Sequence, residues 1–246
     1  MMAIVLYFLT LYIYNGIIIL FLIYNLYPYY IMGKEFELKI INPDIELFKK
    51  TLKENNASLK HSKQYMHRHV FHHPDPTVDG FIRLRNEGEN NVTLTCKIFN
   101  QSKFPLEYEV KLDGDYESGL EFLKKSGLKL KSFQETAREK WVHPLAKEIV
   151  FDTWPGIPEF IEVDCESEED LKKLIQILNI DKNSIRYDGV DSLYEELYKI
   201  PKNKFNGMPS LTFDNFNSEI RGGKKVKKHT VSNKRKRSKT YKKTKR

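Results

Sequence analysis

Between residues 35 and 164, short stretches of the chain alternate charged and apolar side chains with a period of two, and no other feature narrows the fold so far. In Glu35-Phe36-Glu37-Leu38-Lys39-Ile40 the charges hold one parity and the apolar side chains the other. Successive side chains of a strand point to opposite faces, so Glu35, Glu37 and Lys39 share one face while Phe36, Leu38 and Ile40 share the other. The alternation returns in Phe81-Ile82-Arg83-Leu84-Arg85, Val92-Thr93-Leu94-Thr95-Cys96-Lys97, Leu106-Glu107-Tyr108-Glu109-Val110-Lys111 and Phe160-Ile161-Glu162-Val163-Asp164. Repeats of this kind predict an antiparallel, strand-rich architecture.

Helices interrupt the strands. Ser167 is a predicted N-cap ahead of Glu168, Glu169 and Asp170, whose charges suit a helix N-terminus, and Leu171, Leu174, Ile175 and Leu178 then make one apolar stripe. Asp44 to Asn55, after Pro43, is a second amphipathic helix with Ile45, Phe48 and Leu52 on its buried face, and Tyr116 to Lys125 is a third. The predicted class is therefore α+β with antiparallel strands.

The formal charge of +8 suggests a basic protein, but it is an average over unlike segments. Residues 1–31 carry no charge, and Arg221 to Arg246 carry 14 Lys or Arg and no acid. What lies between holds 27 bases against 33 acids, a net −6. The sequence thus divides into a hydrophobic segment 1–31, a globular domain 32–213 and a basic tail 214–246, expected to be disordered because it has no apolar period. The N-terminal run is longer than the ~20 residues that cross a bilayer. It reads as a transmembrane anchor that leaves the domain cytoplasmic, since Lys34 follows it and no base precedes it. The alternative is translation from Met32, giving a soluble protein. The tail is suited to nucleic acid or an anionic surface through unspecific charge. Only Cys96 and Cys165 are present, which excludes a disulfide framework and fits a reducing compartment.

A half-exposed sheet explains any one of the charged strand faces. The sorting of signs argues against that for the set. Acids predominate on the first, fourth and last of the strands, whereas Arg83, Arg85 and Lys97 make a basic pair of strands. Carboxylates attract hard cations such as Mg²⁺ or Mn²⁺, and convergent Arg and Lys attract phosphate oxygens. Together they predict a metal-polyphosphate site.

Glu35-x-Glu37-x-Lys39 at the start of the domain resembles the signature of the CYTH domain, the triphosphate tunnel metalloenzymes. Phe81 to Gly88 is similar to that family's Arg-x-Arg strand, and Leu94-Thr95-Cys96-Lys97 to its Leu-Thr-x-Lys. Ser132-Phe133-Gln134-Glu135 with Arg138 and Trp141 resembles its next basic strand, and Phe151 to Pro158 running into Phe160 to Asp164 its closing pair. The wording is most similar to the branch of class IV adenylate cyclases and thiamine triphosphatases. The resemblance implies an eight-stranded antiparallel β-barrel, a triphosphate tunnel with a charged interior and flanking helices.

It also implies roles. Glu35, Glu37 and Glu162 would ligate a divalent metal, Mg²⁺ or Mn²⁺, with Asp164 assisting, and Glu109, ahead of Glu107, would hold a second metal or orient water. With Lys39 these first three acids make the expected catalytic set. Lys39, Arg83, Arg85, Lys97 and Arg138 would grip a small-molecule triphosphate, with Lys111 and Asp152 as additional tunnel residues. Thr136-Ala137 departs from relatives that carry further bases there, and Lys131 or Lys140 would have to compensate. The implied activity is metal-dependent hydrolysis of a nucleoside, thiamine or inorganic triphosphate. The alternatives are a class IV-type adenylate cyclase, an RNA 5′-triphosphatase and a non-catalytic polyphosphate- or nucleotide-binding module. Five histidines between His61 and His73 include His67-x-His69, a spacing able to ligate zinc on a strand, but no cysteine or carboxylate accompanies it closely enough to predict a metal site.

Overall fold

The computed structural model describes residues 10–14, 17–21, 33–88 and 91–221. Within the uncharged N-terminal run, β1 (Thr10–Tyr14) and β2 (Ile17–Phe21) form an antiparallel pair. The expected spanning helix is not what these residues form; isoleucine-rich stretches favour strand because β-branching restricts χ1. No helix among the described residues is long and apolar enough to cross a membrane. The remainder of that run, and the tail beyond Arg221, lie outside the described residues.

From Gly33 the elements follow in the order β3 (Gly33–Lys34), β4 (Phe36–Ile40), α1 (Ile45–Glu54), β5 (Ser58–His72), β6 (Gly80–Asn86), β7 (Val92–Ile98) and β8 (Leu106–Leu112). Then come α2 (Tyr116–Lys125), β9 (Leu130–His143), β10 (Ala146–Thr153), β11 (Phe160–Cys165), α3 (Glu168–Ile177), β12 (Ile185–Arg186), α4 (Val190–Tyr198), α5 (Lys202–Asn206), β13 (Ser210–Leu211) and α6 (Phe216–Arg221). The sheet runs β12-β4-β11-β10-β9-β5-β6-β7-β8-β3. All these pairings are antiparallel; only β13, which joins β9 from the side, pairs in parallel.

The two ends of that order are neighbours in sequence. β3 pairs with β8 through Gly33 and Glu107, and Glu35 N–H donates to the Pro105 carbonyl at 3.1 Å, whereas β4 pairs with β11 through Leu38 and Val163. One extended segment, Gly33 to Ile40, therefore touches both edges and curls the sheet into a barrel. Taken as one strand with β5 to β11, it completes the eight predicted from the sequence.

The predicted helices form, each with its cap. Asp44 accepts from Leu47 N–H at 3.0 Å, Asp115 from Ser118 N–H at 2.8 Å, and Ser167 from Asp170 N–H at 3.1 Å. They cover the outside, so the apolar parity of the strands is buried there. Leu38, Ile149, Phe151, Ile161 and Val163 pack with Leu52 of α1 and Leu171 and Leu174 of α3. Phe71, Leu84 and Val92 pack with Leu120 and Leu123 of α2. A third cluster joins Trp154, Ile157 and Phe160 to Leu193, Tyr194, Phe205 and Phe216 of α4, α5 and α6.

This third cluster corrects the expected domain boundary at Phe213. Phe216 is 6% exposed and packs beside Tyr194 and Tyr198, so ordered packing continues into the segment read as tail. The hydrophobic anchor is a single residue set among polar ones, too isolated to register as periodic.

Candidate active site

The second parity of every barrel strand faces inward and lines one cavity of about 770 Å³. The acids and bases expected to hold metal or phosphate line it: Glu35, Glu37, Lys39, Arg83, Arg85, Lys97, Glu109, Arg138, Glu162 and Asp164. Lys111 does not; it is exposed at the far end of β8. Asp152 does, and at 1% exposure it is as buried as a core residue.

Cross-strand register builds the acidic wall. Lys39 lies opposite Glu162, and Glu37 opposite Asp164, across the β4–β11 ladder. Lys39 Nζ donates to Glu37 Oε1 at 2.5 Å and stands 3.3 Å from Glu162 Oε1. Lys97 pairs with Glu35 and lies 3.3 Å from Glu107 Oε2. Burial alone would discharge both lysines, but Glu37 and Glu162 hold the Lys39 pKa above its ordinary value, and Glu35 and Glu107 do the same for Lys97.

The acids divide in their response. Burial would raise Glu37, yet the Lys39 and Lys97 ammoniums keep it below the usual carboxylate range. Burial and the charge of Glu37 push Glu162 up to about 7. Asp164 is pushed up to about 8 by burial, against the opposing charge of Lys147 and with smaller contributions from Glu37 and Glu148. Burial and then Glu37 raise Glu35 well above its ordinary value. This corner therefore has more negative charge than its lysines balance.

The arginines of β6 and β9 are each paired with acids. Arg138 Nε and Nη2 grip Asp152 at 2.6 and 2.7 Å, with Glu148 and Glu162 each 3.1 Å from the same guanidinium. Arg83 lies 3.4 Å from Glu109 and 3.7 Å from Glu107, and Arg85 lies 3.5 Å from Glu109 and pairs with Glu87. Thr95 Oγ1 donates to the same Glu109 oxygen at 2.7 Å. Glu109 thus belongs with the arginines, and it is Glu107 that joins Glu35 through Lys97. Glu109, expected to hold a second metal or orient water, shares Arg83 with Glu107 and, among the described residues, makes no ion pair with Lys39 or Lys97.

Among the described residues no three carboxylate, imidazole or thiol groups already form a cation cage; lysines stand between the acids. The donor chemistry nevertheless fits a hard divalent cation. Glu35, Glu37, Glu162 and Asp164 supply oxygens only, Asp164 Oδ1 is buried without a hydrogen-bond partner, and three of the four carboxyls are displaced toward protonation.

Sequence reading missed Arg68, whose guanidinium enters the cavity from β5 and donates to Thr136 Oγ1 at 2.5 Å. The signal was parity: His67 and His69 hold the outer face, against Tyr116 and Phe133, so Arg68 and Val70 must point inward. These histidines pack and do not gather ligands.

The family model for the CYTH domain matches residues 33–191. The chain belongs to the CYTH family. Solved structures share its fold: a candidate adenylate cyclase from Vibrio parahaemolyticus (TM-score 0.55, 14% identity, covering 67% of this chain and 99% of that one) and the PH1012 protein from Pyrococcus horikoshii (0.52, 16%, 63% and 96%). PH1819 from the same archaeon gives 0.50 at 24% identity, covering 66% and 98%. No curated protein matches significantly. The CYTH barrel, with its charged interior and outer helices, is the architecture of this chain.

Proposed function

We propose that this CYTH protein is a divalent-metal-dependent phosphohydrolase acting on a triphosphate in its tunnel. The observation that carries the reading is the make-up of the cavity wall: carboxylates from the 33–40 segment, β8, β10 and β11 and guanidinium and ammonium groups from β4, β5, β6, β7 and β9 all face one space. A pure anion binder gains nothing from buried acids, and a pure cation binder nothing from buried arginines. A metal polyphosphate answers to both.

When bound, the metal supplies charge neutralisation and Lewis-acid polarisation of a phosphoryl oxygen. Glu35, Glu37, Glu162 and Asp164 are the residues to hold it. Arg83, Arg85, Arg138, Lys39 and Lys97 bind and align the phosphate chain, exchanging their present carboxylate partners for phosphate oxygens. Such positioning and electrostatic stabilisation make up most of phosphoryl-transfer catalysis. A water directed at the terminal phosphoryl group completes hydrolysis.

The test is incubation of the full chain with ATP, thiamine triphosphate and inorganic triphosphate, each with Mg²⁺, Mn²⁺ or chelator, and separation of products. Metal-dependent phosphate release is the expected result. Cyclic AMP with pyrophosphate from ATP would replace hydrolysis by cyclisation, and no turnover of any substrate would overturn both.

A further inference from the structure

Arg68 differs from the other tunnel arginines. Arg83, Arg85 and Arg138 each face carboxylates, whereas among the described residues no acid lies within ion-pair distance of Arg68. It is 5% exposed. Its Nη2 donates to Thr136 Oγ1 at 2.5 Å, its guanidinium lies 4.8 Å from the centroid of the Trp154 ring, and its Nε has no partner. Trp154 is also short of an acceptor, for its buried indole Nε1 makes no hydrogen bond. Both side chains line the tunnel.

A guanidinium does not shed its proton in a protein, so the charge at Arg68 stays and calls for an anion. The electrostatics agree: burial, then Arg83, Arg85 and Arg138, press its pKa well below the ordinary arginine value. Thr136 holds one nitrogen of the guanidinium, the Trp154 ring lies over it, and Arg68 Nε and Trp154 Nε1 are both left without an acceptor.

We propose that Arg68 and the Trp154 indole form a dedicated phosphoryl seat in the tunnel, on β5 and the turn after β10, apart from the wall of acids. This rests on the reading of the tunnel as a polyphosphate site and adds which group of this chain holds one phosphoryl unit without a counter-ion. A seat of this design trades resting stability for affinity, because the buried charge is compensated only when the anion arrives.

The experiment uses the full chain with inorganic triphosphate in the presence of chelator, binding read by calorimetry and resting stability by thermal unfolding without ligand. Arg68→Met, which keeps bulk and removes charge, is expected to bind about tenfold or more weakly while unfolding at a higher temperature than the wild type. Trp154→Phe, which keeps the ring and removes the donor, weakens binding several-fold with Arg68 in place. Arg68→Lys, which keeps charge but not the fork, falls between wild type and Arg68→Met. Unchanged triphosphate affinity in Arg68→Met and Trp154→Phe overturns the seat. A lower unfolding temperature for Arg68→Met, or its failure to fold, overturns the stability trade, and Trp154→Phe then decides the seat on affinity alone. A wild-type chain that binds triphosphate but turns over none with metal overturns the enzymatic reading and leaves the seat standing. One that hydrolyses triphosphates equally well after Arg68→Met, with unchanged KM, overturns the seat alone.

Discussion

Replacing Gly156 with alanine tests how the tunnel is fastened to the helices behind it. Gly156 has φ +76°, in the left-handed region, and a Cβ added there would overlap Cζ, Cε1 and Cε2 of Phe216. The backbone cost of a side chain in that region is about 1–2 kcal/mol. The ring cannot give way locally, since Tyr198 lies 5.3 Å from it and Tyr194 6.4 Å, so it must leave its pocket. Losing its burial adds roughly 1.5–3 kcal/mol. Gly156→Ala should therefore cost about 2.5–5 kcal/mol, lowering Tm by roughly 5–20 °C for a domain of this size. In a Phe216→Ala background the clash is gone and only the backbone term of about 1–2 kcal/mol remains. Urea unfolding of the two single variants and the double variant measures this coupling. If Gly156→Ala costs the same with and without Phe216, the latch between α6 and the Trp154–Ile157 turn does not exist as described.

Three further outcomes follow from the site and its supports. Glu37→Gln should keep the fold and lower turnover about 10²–10³-fold, the scale for losing one preorganised electrostatic group; full activity in a steady-state assay would refute the metal assignment. Arg138→Met leaves Asp152 buried without its bidentate partner and should destabilise by about 3–5 kcal/mol, with Asp152→Asn recovering part in the double variant; a urea midpoint equal to wild type would contradict this. The His143 imidazole, whose Nδ1 accepts from Leu145 N–H at 3.1 Å, is held below its ordinary pKa by burial. The unfolded chain protonates this group first as pH falls through about 6.5, so it disfavours the fold below that value. His143→Gln should lose less stability than the wild type between about pH 7.5 and about pH 5.5, and equal losses in Tm would refute the reasoning.

The antiparallel strands and the three predicted helices were legible because period and caps are local signals, whereas closure into a barrel was implied by the resemblance to the CYTH domain. Phe36, Leu38 and Ile40 mark an outer face, and Glu35, Glu37 and Lys39 an inner one, without reference to any other segment. What the sequence concealed depends on partners far along the chain. Arg68 sits among histidines that draw attention to the other face; parity sets it opposite them, and its pairing with Arg85 and Gln134 on neighbouring strands settles which face is inward. The pairing of Glu107 rather than Glu109 with Lys97 follows from the β7–β8 register, which sets Lys97 opposite Glu107 and Thr95 opposite Glu109. Helices α4 to α6 are short, and neither α4 nor α5 has a side-chain cap.

A charged interior also dictates what surrounds it. Lining the interior of an eight-stranded barrel with Lys, Arg, Glu and Asp around a ligand-sized space leaves the apolar parity facing outward. That parity must be covered, and the three hydrophobic clusters under α1 with α3, under α2, and under α4 to α6 do so separately. At Trp154 the outer packing and the tunnel meet. Its ring belongs to the cluster under α4 to α6 yet supports the Arg68 guanidinium inside. The turn that carries it is held from behind: Tyr194 O–H donates to the Pro155 carbonyl at 2.6 Å, Tyr198 O–H donates to the Gly156 carbonyl, and Phe216 fills the space a side chain at 156 would take. A change at Phe216 therefore reaches the phosphate site through one turn of backbone. It should alter triphosphate affinity in the same direction as Trp154→Phe while leaving Glu37 and its neighbours in place.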